Sequence, residues 1–347
     1  MNKEVLTKTR PCRTVCLTEE EFSRRMREEV EPFLKGVCRD GRMKTERLSS
    51  QEAQGMQEAP HDGLYYELYL QQGAKGTIVI SYGFTESCLK YHELIWYFYR
   101  EGYQVAVMDH RGHGKSMREV EDVTIVYIDL FTRYVKDLHR FVQTVVKPAA
   151  QERPLYLYAH SMGGCIGAFY LEQYPNDFAK AVLNAPMMGL NLGACPPWAA
   201  RILCDYKVAK GEGKERLFTQ APFDPEESFE EASATSRARH AYYQQIRREN
   251  AEYQTSSASY YWGKEAINAG NFVISTAQAR KVKAPVLLFE AELDTLVRAS
   301  AQEKFISRIA DGRIVLVEGA KHEIYRSPAE VLSPYLEEIF RFYEGKE

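Results

Sequence analysis

The sequence predicts an α/β fold: a mostly parallel sheet with helices on both faces and a large inserted segment near its middle. Three observations predict it. Short β-branched and aromatic runs alternate with segments of helical periodicity from Asp62 to the C-terminus. One interval of about a hundred residues, between Ala185 and Pro285, breaks that alternation. And the run Leu155-Tyr-Leu-Tyr-Ala-His-Ser-Met-Gly-Gly passes from a strand pattern into a helix pattern through a turn of small residues.

The elements follow in order. Residues 1–60 are charged and poor in β-branched residues. There Thr18 and Glu21 make a capping-box pattern, and Phe22, Met26, Val30, Phe33 and Leu34 recur at helical spacing. One amphipathic helix is expected, then a polar linker at Ser49–Ala59 that ends at Pro60. Strands are expected at Tyr65–Leu70, Thr77–Tyr82, Gln104–Asp109, Leu155–His160, Lys180–Ala185, Pro285–Ala291 and Arg313–Glu318. Between them, Tyr127, Leu130, Phe131, Tyr134, Leu138, Phe141, Val142 and Val145 define one helical face. Val331, Leu332, Tyr335, Leu336, Ile339 and Phe340 define another. Strands alternating with helices imply βαβ units and a sheet covered on both sides.

The interval at 187–283 has no buried-strand pattern but is rich in aromatic residues, Trp198 and Trp262 among them. An insertion of that size after a central strand is expected to cap the sheet's C-terminal edge, where ligands bind in open α/β sheets. The expected organisation is a helical extension and linker at 1–60, a core at 61–186 and 284–347, and a cap at 187–283.

Composition narrows the class. The 347 residues carry 45 Lys and Arg against 48 Asp and Glu, a net charge of −3 that argues against a nucleic-acid binder. At 45% hydrophobic and 27% charged the chain is that of a folded globule. None of the seven cysteines forms a CxxC pair, so neither a zinc ribbon nor a thioredoxin-like site is supported. The N-terminus lacks an apolar run of signal-peptide length. The longest apolar stretch, Leu94–Tyr99, is far short of the ~20 residues that span a bilayer. A cytoplasmic protein is expected, with peripheral contact at the inner face of a membrane left open and no oligomeric state indicated.

The chemistry centres on Ser161. Its place between strand and helix, with Ala159 and Gly163 as small neighbours, is a nucleophile-elbow arrangement. A serine nucleophile needs a base oriented by a carboxylate, in the chain order Ser, acid, His on this kind of sheet. Asp294 follows the Pro285–Ala291 strand and His322 follows the Arg313–Glu318 strand, so both fall on the same sheet edge as Ser161. Glu292 is the main rival to Asp294. The oxyanion needs two backbone N–H donors. Met162, directly after the nucleophile, is one candidate; Phe84, in the loop after the Thr77–Tyr82 strand, is the other. The segment Asp109-His-Arg-Gly-His-Gly-Lys-Ser116 matches neither a phosphate loop nor a dinucleotide fingerprint and reads as a structural turn framing the site. No metal or organic cofactor is called for.

These residues together resemble the α/β-hydrolase superfamily, and within it the bacterial lysophospholipase and monoacylglycerol-lipase group. The likeness rests on Tyr82-Gly-Phe-Thr-Glu-Ser87, Asp109-His-Arg-Gly-His-Gly-Lys-Ser116, Ala159-His-Ser-Met-Gly-Gly164, Asn184-Ala-Pro-Met187 and Gly319-Ala-Lys-His-Glu-Ile324, with weaker matches at Ser236–Arg239 and Tyr260–Glu265. It covers roughly residues 62–345. Tyr82 stands where many relatives have His, and the Asp294 segment lacks the Gly common before the acid and has Arg298 after Val297. The resemblance implies an ester hydrolase acting on single-chain lipids through an acyl-enzyme. The alternatives are a small-ester esterase or acyltransferase, an aminopeptidase gripping an amino terminus with Glu226, Glu227, Glu230 and Glu231, and a catalytically silent ligand receptor.

Overall fold

The computed structural model describes residues 3–6, 12–45 and 63–346. Its strands are β1 (Glu4–Val5), β2 (Cys38–Met43), β3 (Leu64–Tyr69), β4 (Thr77–Ser81), β5 (Gln104–Met108), β6 (Ile125–Val126), β7 (Leu155–His160), β8 (Lys180–Asn184), β9 (Ser257–Ala258), β10 (Val286–Ala291) and β11 (Gly312–Val317). Nine of them form one sheet in the order β1-β11-β10-β8-β7-β4-β5-β3-β2. All neighbours from β1 to β5 run parallel; β3 pairs antiparallel with β5, and β2 antiparallel with β3. Every residue of β4, β5 and β10 is buried, as a parallel sheet covered on both faces requires.

The seven strands expected from apolar patterning all form, each within one residue of its expected bounds. The four others carry little or no such signal. Both residues of β1 are exposed, and β2 is Cys-Arg-Asp-Gly-Arg-Met. These two are edge strands, placed by ladder hydrogen bonds to β11 and β3, with Met43 the one buried residue of either. The N-terminal extension therefore supplies both edges of the main sheet. The two-residue β6 and β9 pair with each other, which places a strand inside the interval expected to have none. The linker expected at Ser49–Ala59 lies outside the described residues.

The expected N-terminal helix is present as Phe22–Arg25, Met26–Val30 and Glu31–Val37 in unbroken succession, with a wider turn in the middle segment. Its capping box is reciprocal: Thr18 N–H donates to Glu21 Oε1 at 3.2 Å and Glu21 N–H to Thr18 Oγ1 at 3.4 Å. Phe22, Met26, Val30 and Leu34 are buried, whereas Phe33 is exposed. The helix expected from Tyr127 onward starts only at Thr132. Leu130 is exposed, and Phe131 N–H donates to Glu265 Oε2 at 2.9 Å, so a contact with the inserted segment sets that boundary.

Two apolar cores flank the sheet. One packs Phe22, Met26, Val30 and Leu34 with Trp96, Tyr97 and Phe98 and with Tyr335, Leu336, Ile339 and Phe340. The other packs Tyr134, Leu138 and Phe141 with Ile166 and Phe169, and includes Trp262, Ala266 and Val273. The chain between β8 and β10 folds into the helices Pro197–Ala209, Arg237–Glu249 and Tyr260–Val273 with shorter pieces between them. Among the described residues no helix is long and apolar enough to cross a membrane.

Candidate active site

Parallel strands end on one edge, and that edge gathers the chemistry. Ser161 follows β7 directly, Phe84 follows β4, Asp294 follows β10 and His322 follows β11. Ser161 is the first residue of the helix Ser161–Gln173, with φ of +50°, a left-handed conformation that a residue with a side chain adopts at some cost. Close packing holds it there. A Cβ on Gly163 would lie 2.0 Å from the Ser81 carbonyl oxygen, so the helix can approach β4 this nearly only with glycine at that position.

The expected residues meet. His322 Nε2 lies 2.7 Å from Ser161 Oγ, and His322 Nδ1 lies 2.7 Å from Asp294 Oδ2. Asp294 Oδ1 accepts from Leu296 N–H at 2.8 Å and Val297 N–H at 3.1 Å, which orients the carboxylate toward the ring. Burial pushes the Asp294 carboxyl up, but the hydrogen bond and charge of His322 and these two N–H groups outweigh it, and its pKa falls below the ordinary value. Glu292, the rival acid, is instead exposed and accepts from Gly319 N–H at 2.8 Å. Glu290 pairs with Lys3 at 2.7 Å.

The Phe84 loop lies against the nucleophile. A Cβ on Gly83 would sit 3.1 Å from Ser161 Cβ and 2.8 Å from Glu86 Oε2. Glu86 Oε2 accepts from Gly83 N–H at 2.6 Å, and Thr85 takes a φ of +62°. Among the described residues neither Phe84 N–H nor Met162 N–H donates to another group. Met162 N–H belongs to the first turn of a helix, where backbone donors have no intrahelical partner. Such an arrangement suits an anion developing beside Ser161. The Phe84 ring packs on Trp262 of the inserted segment, centroids 4.1 Å apart.

The turn at Asp109–Ser116 is structural, as its sequence suggests. Asp109 Oδ1 accepts from Tyr82 O–H at 2.9 Å and Cys88 N–H at 2.7 Å, while Oδ2 accepts from Lys115 N–H at 2.8 Å. Tyr82 O–H in turn accepts from His110 N–H at 2.8 Å, so the tyrosine preceding Gly83 braces the loop below Phe84. Burial pushes His110 down to about 4 and His113 down to about 3, which keeps both neutral. Among the described residues no group of three or more His, Cys, Asp or Glu could hold a metal ion.

Sequence patterning missed what stands behind the loops. His160, buried beside Ser161, lies 3.1 Å from the Asn184 carbonyl through Nδ1 and 4.9 Å from the His322 ring, centroid to centroid. Burial pushes it down to about 4, so it is neutral beside the base. Glu86, Lys90 and Glu323 form a buried ion-paired row. The four-residue spacing of Glu86 and Lys90 was the one visible sign of it; the pairing with Glu323 spans more than two hundred residues of chain.

Comparison with known proteins fits this geometry. The model of the family described as serine aminopeptidase, S33, matches residues 72–329. Lysophospholipase L2 of Escherichia coli (strain K12) is 29% identical over 284 residues, 77% of this chain and 79% of its own length. A monoacylglycerol lipase of Mycolicibacterium smegmatis is 27% identical over 271 residues, 74% of this chain and 85% of its own. A crystal structure of a soluble variant of monoglyceride lipase from Saccharomyces cerevisiae superposes with a TM-score of 0.64 at 20% identity, covering 84% of this chain and 94% of that one. An α/β sheet with a serine elbow, matched over most of its length by one family model, places the chain in the serine aminopeptidase S33 family of α/β-hydrolases.

Proposed function

We propose that the protein hydrolyses carboxylic esters of single-chain lipids, a lysophospholipid or a monoacylglycerol, through an acyl-enzyme on Ser161. The observation that carries the reading is the relay Ser161–His322–Asp294, with both contacts at 2.7 Å. Neutral His322 takes the Ser161 proton through Nε2 as Oγ attacks the ester carbonyl. Asp294 holds the ring and stabilises the imidazolium that forms. Phe84 and Met162 N–H groups receive the oxyanion. The imidazolium gives its proton to the departing alcohol, and the acyl group stays on Ser161. Water, deprotonated by the same His322, then releases the fatty acid and regenerates the serine.

Relatives named as lysophospholipase and monoacylglycerol lipase support this substrate class. Residues 187–283 serve in this reading as the cap, with Trp262 walling the acyl site where it meets Phe84. Trp198, the other tryptophan of this interval, is instead 67% exposed. With Ile202 and Tyr206 it forms an exposed apolar face of one helix, and Arg201, Lys207 and Lys210 lie on the same helix or just past it. That surface suits peripheral contact with a lipid layer. Among the described residues no disulfide joins the cysteines, which accords with a reducing, cytoplasmic setting.

The aminopeptidase alternative, favoured by the family description alone, needs free carboxylates in the cap. Glu226, Glu227 and Glu230 are instead paired with Arg248, Arg247 and Arg237. The test is turnover of a lysophospholipid, a monoacylglycerol, a short p-nitrophenyl ester and an aminoacyl amide by wild type and Ser161→Ala. The monoacyl lipids should be the best substrates, and Ser161→Ala should lower kcat by about 10⁴- to 10⁶-fold. Amide turnover without ester turnover, or a variant keeping a tenth of the rate, would refute the reading.

A further inference from the structure

Lys90 is an unusual residue to find where it is. Its side chain is 7% exposed, on the short turn Cys88–Tyr91 behind the Phe84 loop, and a buried ammonium persists only when paired. Two carboxylates pair it: Glu86 Oε1 at 3.0 Å and Glu323 Oε1 at 2.7 Å. Glu86 belongs to the loop that carries Phe84. Glu323 directly follows His322. One buried cation thus joins the loop of the oxyanion donor to the loop of the base.

Both ends of the bridge are themselves fixed. Glu86 is saturated: Oε2 accepts from Gly83 N–H at 2.6 Å and Tyr91 O–H at 2.7 Å, and Oε1 accepts from Lys90 and, at 2.6 Å, from Tyr325 O–H. Glu323 also pairs with Arg326 at 2.6 Å. Two cations thus face two carboxylates, and no net charge is left buried in the row. Tyr243 of the helix Arg237–Glu249 closes it from above, its ring 5.2 Å from Lys90 Nζ and 5.5 Å from Arg326 Cζ, with its hydroxyl 3.2 Å from Ser87 Oγ.

We propose that Lys90 is a positioning residue: by bridging Glu86 and Glu323 it holds the Gly83–Phe84 peptide and His322 in one register about Ser161. The proposal rests on the serine-hydrolase reading above. Its physical basis is the steep dependence of catalysis on donor placement, since losing one oxyanion donor outright costs about 10²- to 10³-fold in kcat. Without the ammonium, Glu86 keeps its burial and loses the opposite charge that makes ionisation tolerable. Burial raises the Glu86 carboxyl; the Lys90 charge leads the groups that bring it down to about 2. A protonated or displaced Glu86 no longer fixes Gly83 N–H, and the adjoining Phe84 N–H drifts from the oxyanion.

The variants Lys90→Met, Lys90→Arg and Glu323→Gln test it, each measured for kcat, KM and thermal midpoint on one monoacyl ester. Wild type and Ser161→Ala are labelled with a fluorophosphonate in parallel. Lys90→Met should lose at least tenfold in kcat with KM within threefold of wild type, and Lys90→Arg, which can span both carboxylates, should recover most of that loss. Glu323→Gln, which leaves the Lys90–Glu86 pair intact and removes the charge through which Lys90 and Arg326 hold the loop of the base, should lose kcat severalfold. It also decides the matter if Lys90→Met does not fold. A lowered thermal midpoint with kcat of the folded enzyme within threefold of wild type in Lys90→Met, or an unchanged kcat in Glu323→Gln, would overturn the proposal. Failure of wild type to label at Ser161 would instead overturn the serine-hydrolase reading itself.

Discussion

At the scale of single residues, the site depends on two kinds of constraint. Ser161 is held in a left-handed conformation by tight packing at Gly163, and Asp294 is held ionised by His322 and two backbone donors. Asp294→Asn should therefore leave the fold intact and lower kcat by about 10⁴-fold, because an amide favours the wrong tautomer of His322. Glu292→Gln, altering an exposed carboxylate that accepts from Gly319 N–H and does not reach His322, should stay within a few-fold of wild type. The reverse pattern in steady-state kinetics would reassign the acid.

Glu172 shows a residue with no evident part in the chemistry. It is 3% exposed on the helix that begins at Ser161, and among the described residues neither carboxyl oxygen has a hydrogen-bond partner. Burial pushes it from 4.5 up to about 9, with Lys281 opposing weakly. Below pH 4.5 folded and unfolded chains both hold the proton and nothing is lost. Between pH 4.5 and about 9 the unfolded chain gives it up first, so stability falls as pH rises through this window. Glu172→Met should stabilise the protein by about 1–3 kcal/mol at pH 8 and flatten that pH dependence in urea unfolding. An equally steep dependence in the variant would show that another group causes it.

At the scale of elements, the helix Pro197–Ala209 and the helix Tyr260–Val273 divide the aromatic residues of the inserted segment by burial. Trp262 is 5% exposed and packs on Phe84, whereas Trp198, Ile202 and Tyr206 recur every four residues along one helical face and lie in solvent. A double change, Trp198→Ser with Ile202→Ser, should reduce binding to anionic lipid vesicles and turnover of vesicle-borne substrate by about tenfold or more. Hydrolysis of a dissolved short ester should change little, because the site is untouched. Equal loss on both substrates would mean that this face supports the fold instead of meeting lipid.

At the scale of the whole molecule, the N-terminal extension works as a strap. Arg13 pairs with Glu337 and Glu344 of the C-terminal helix, at 3.1 and 2.8 Å. Leu17 N–H donates to Tyr97 O–H at 2.7 Å, and Glu19 Oε2 accepts from Ala238 N–H at 3.0 Å at the start of an inserted helix. All three parts meet at Arg239. This side chain, 1% exposed, pairs with Glu93 at 2.6 Å and donates to the Leu17 carbonyl at 3.0 Å. Arg239→Met leaves Glu93 buried without its partner and should cost about 3–5 kcal/mol in urea unfolding. A loss under 1 kcal/mol would show that the three parts hold together without it.

Much of this molecule could be read from local pattern. Each core strand announced itself because a parallel strand buried on both faces must be apolar nearly throughout, and Thr77–Ser81 and Val286–Ala291 are. Ser161 stood out because an elbow demands small neighbours within two or three residues. Asp294 and His322 were legible because the ends of parallel strands share an edge, whatever the loops between them do. What the pattern did not contain is whatever depends on partners distant in the chain. The edge strands Glu4–Val5 and Cys38–Met43 carry little apolar signal because ladder hydrogen bonds to one neighbour, and not a face buried throughout, place them in the sheet. The choice of Asp294 over Glu292, two residues away, is made by which carboxylate reaches the ring, and the exposure of Trp198 against the burial of Trp262 by which helix lies on Phe84. Hydrophobic period records how much surface each segment must bury, so sequence by itself determined the class of fold and the edge where the chemistry lies. Charge pairing and the assignment of faces depend on distance in space, and there tertiary structure alone decided.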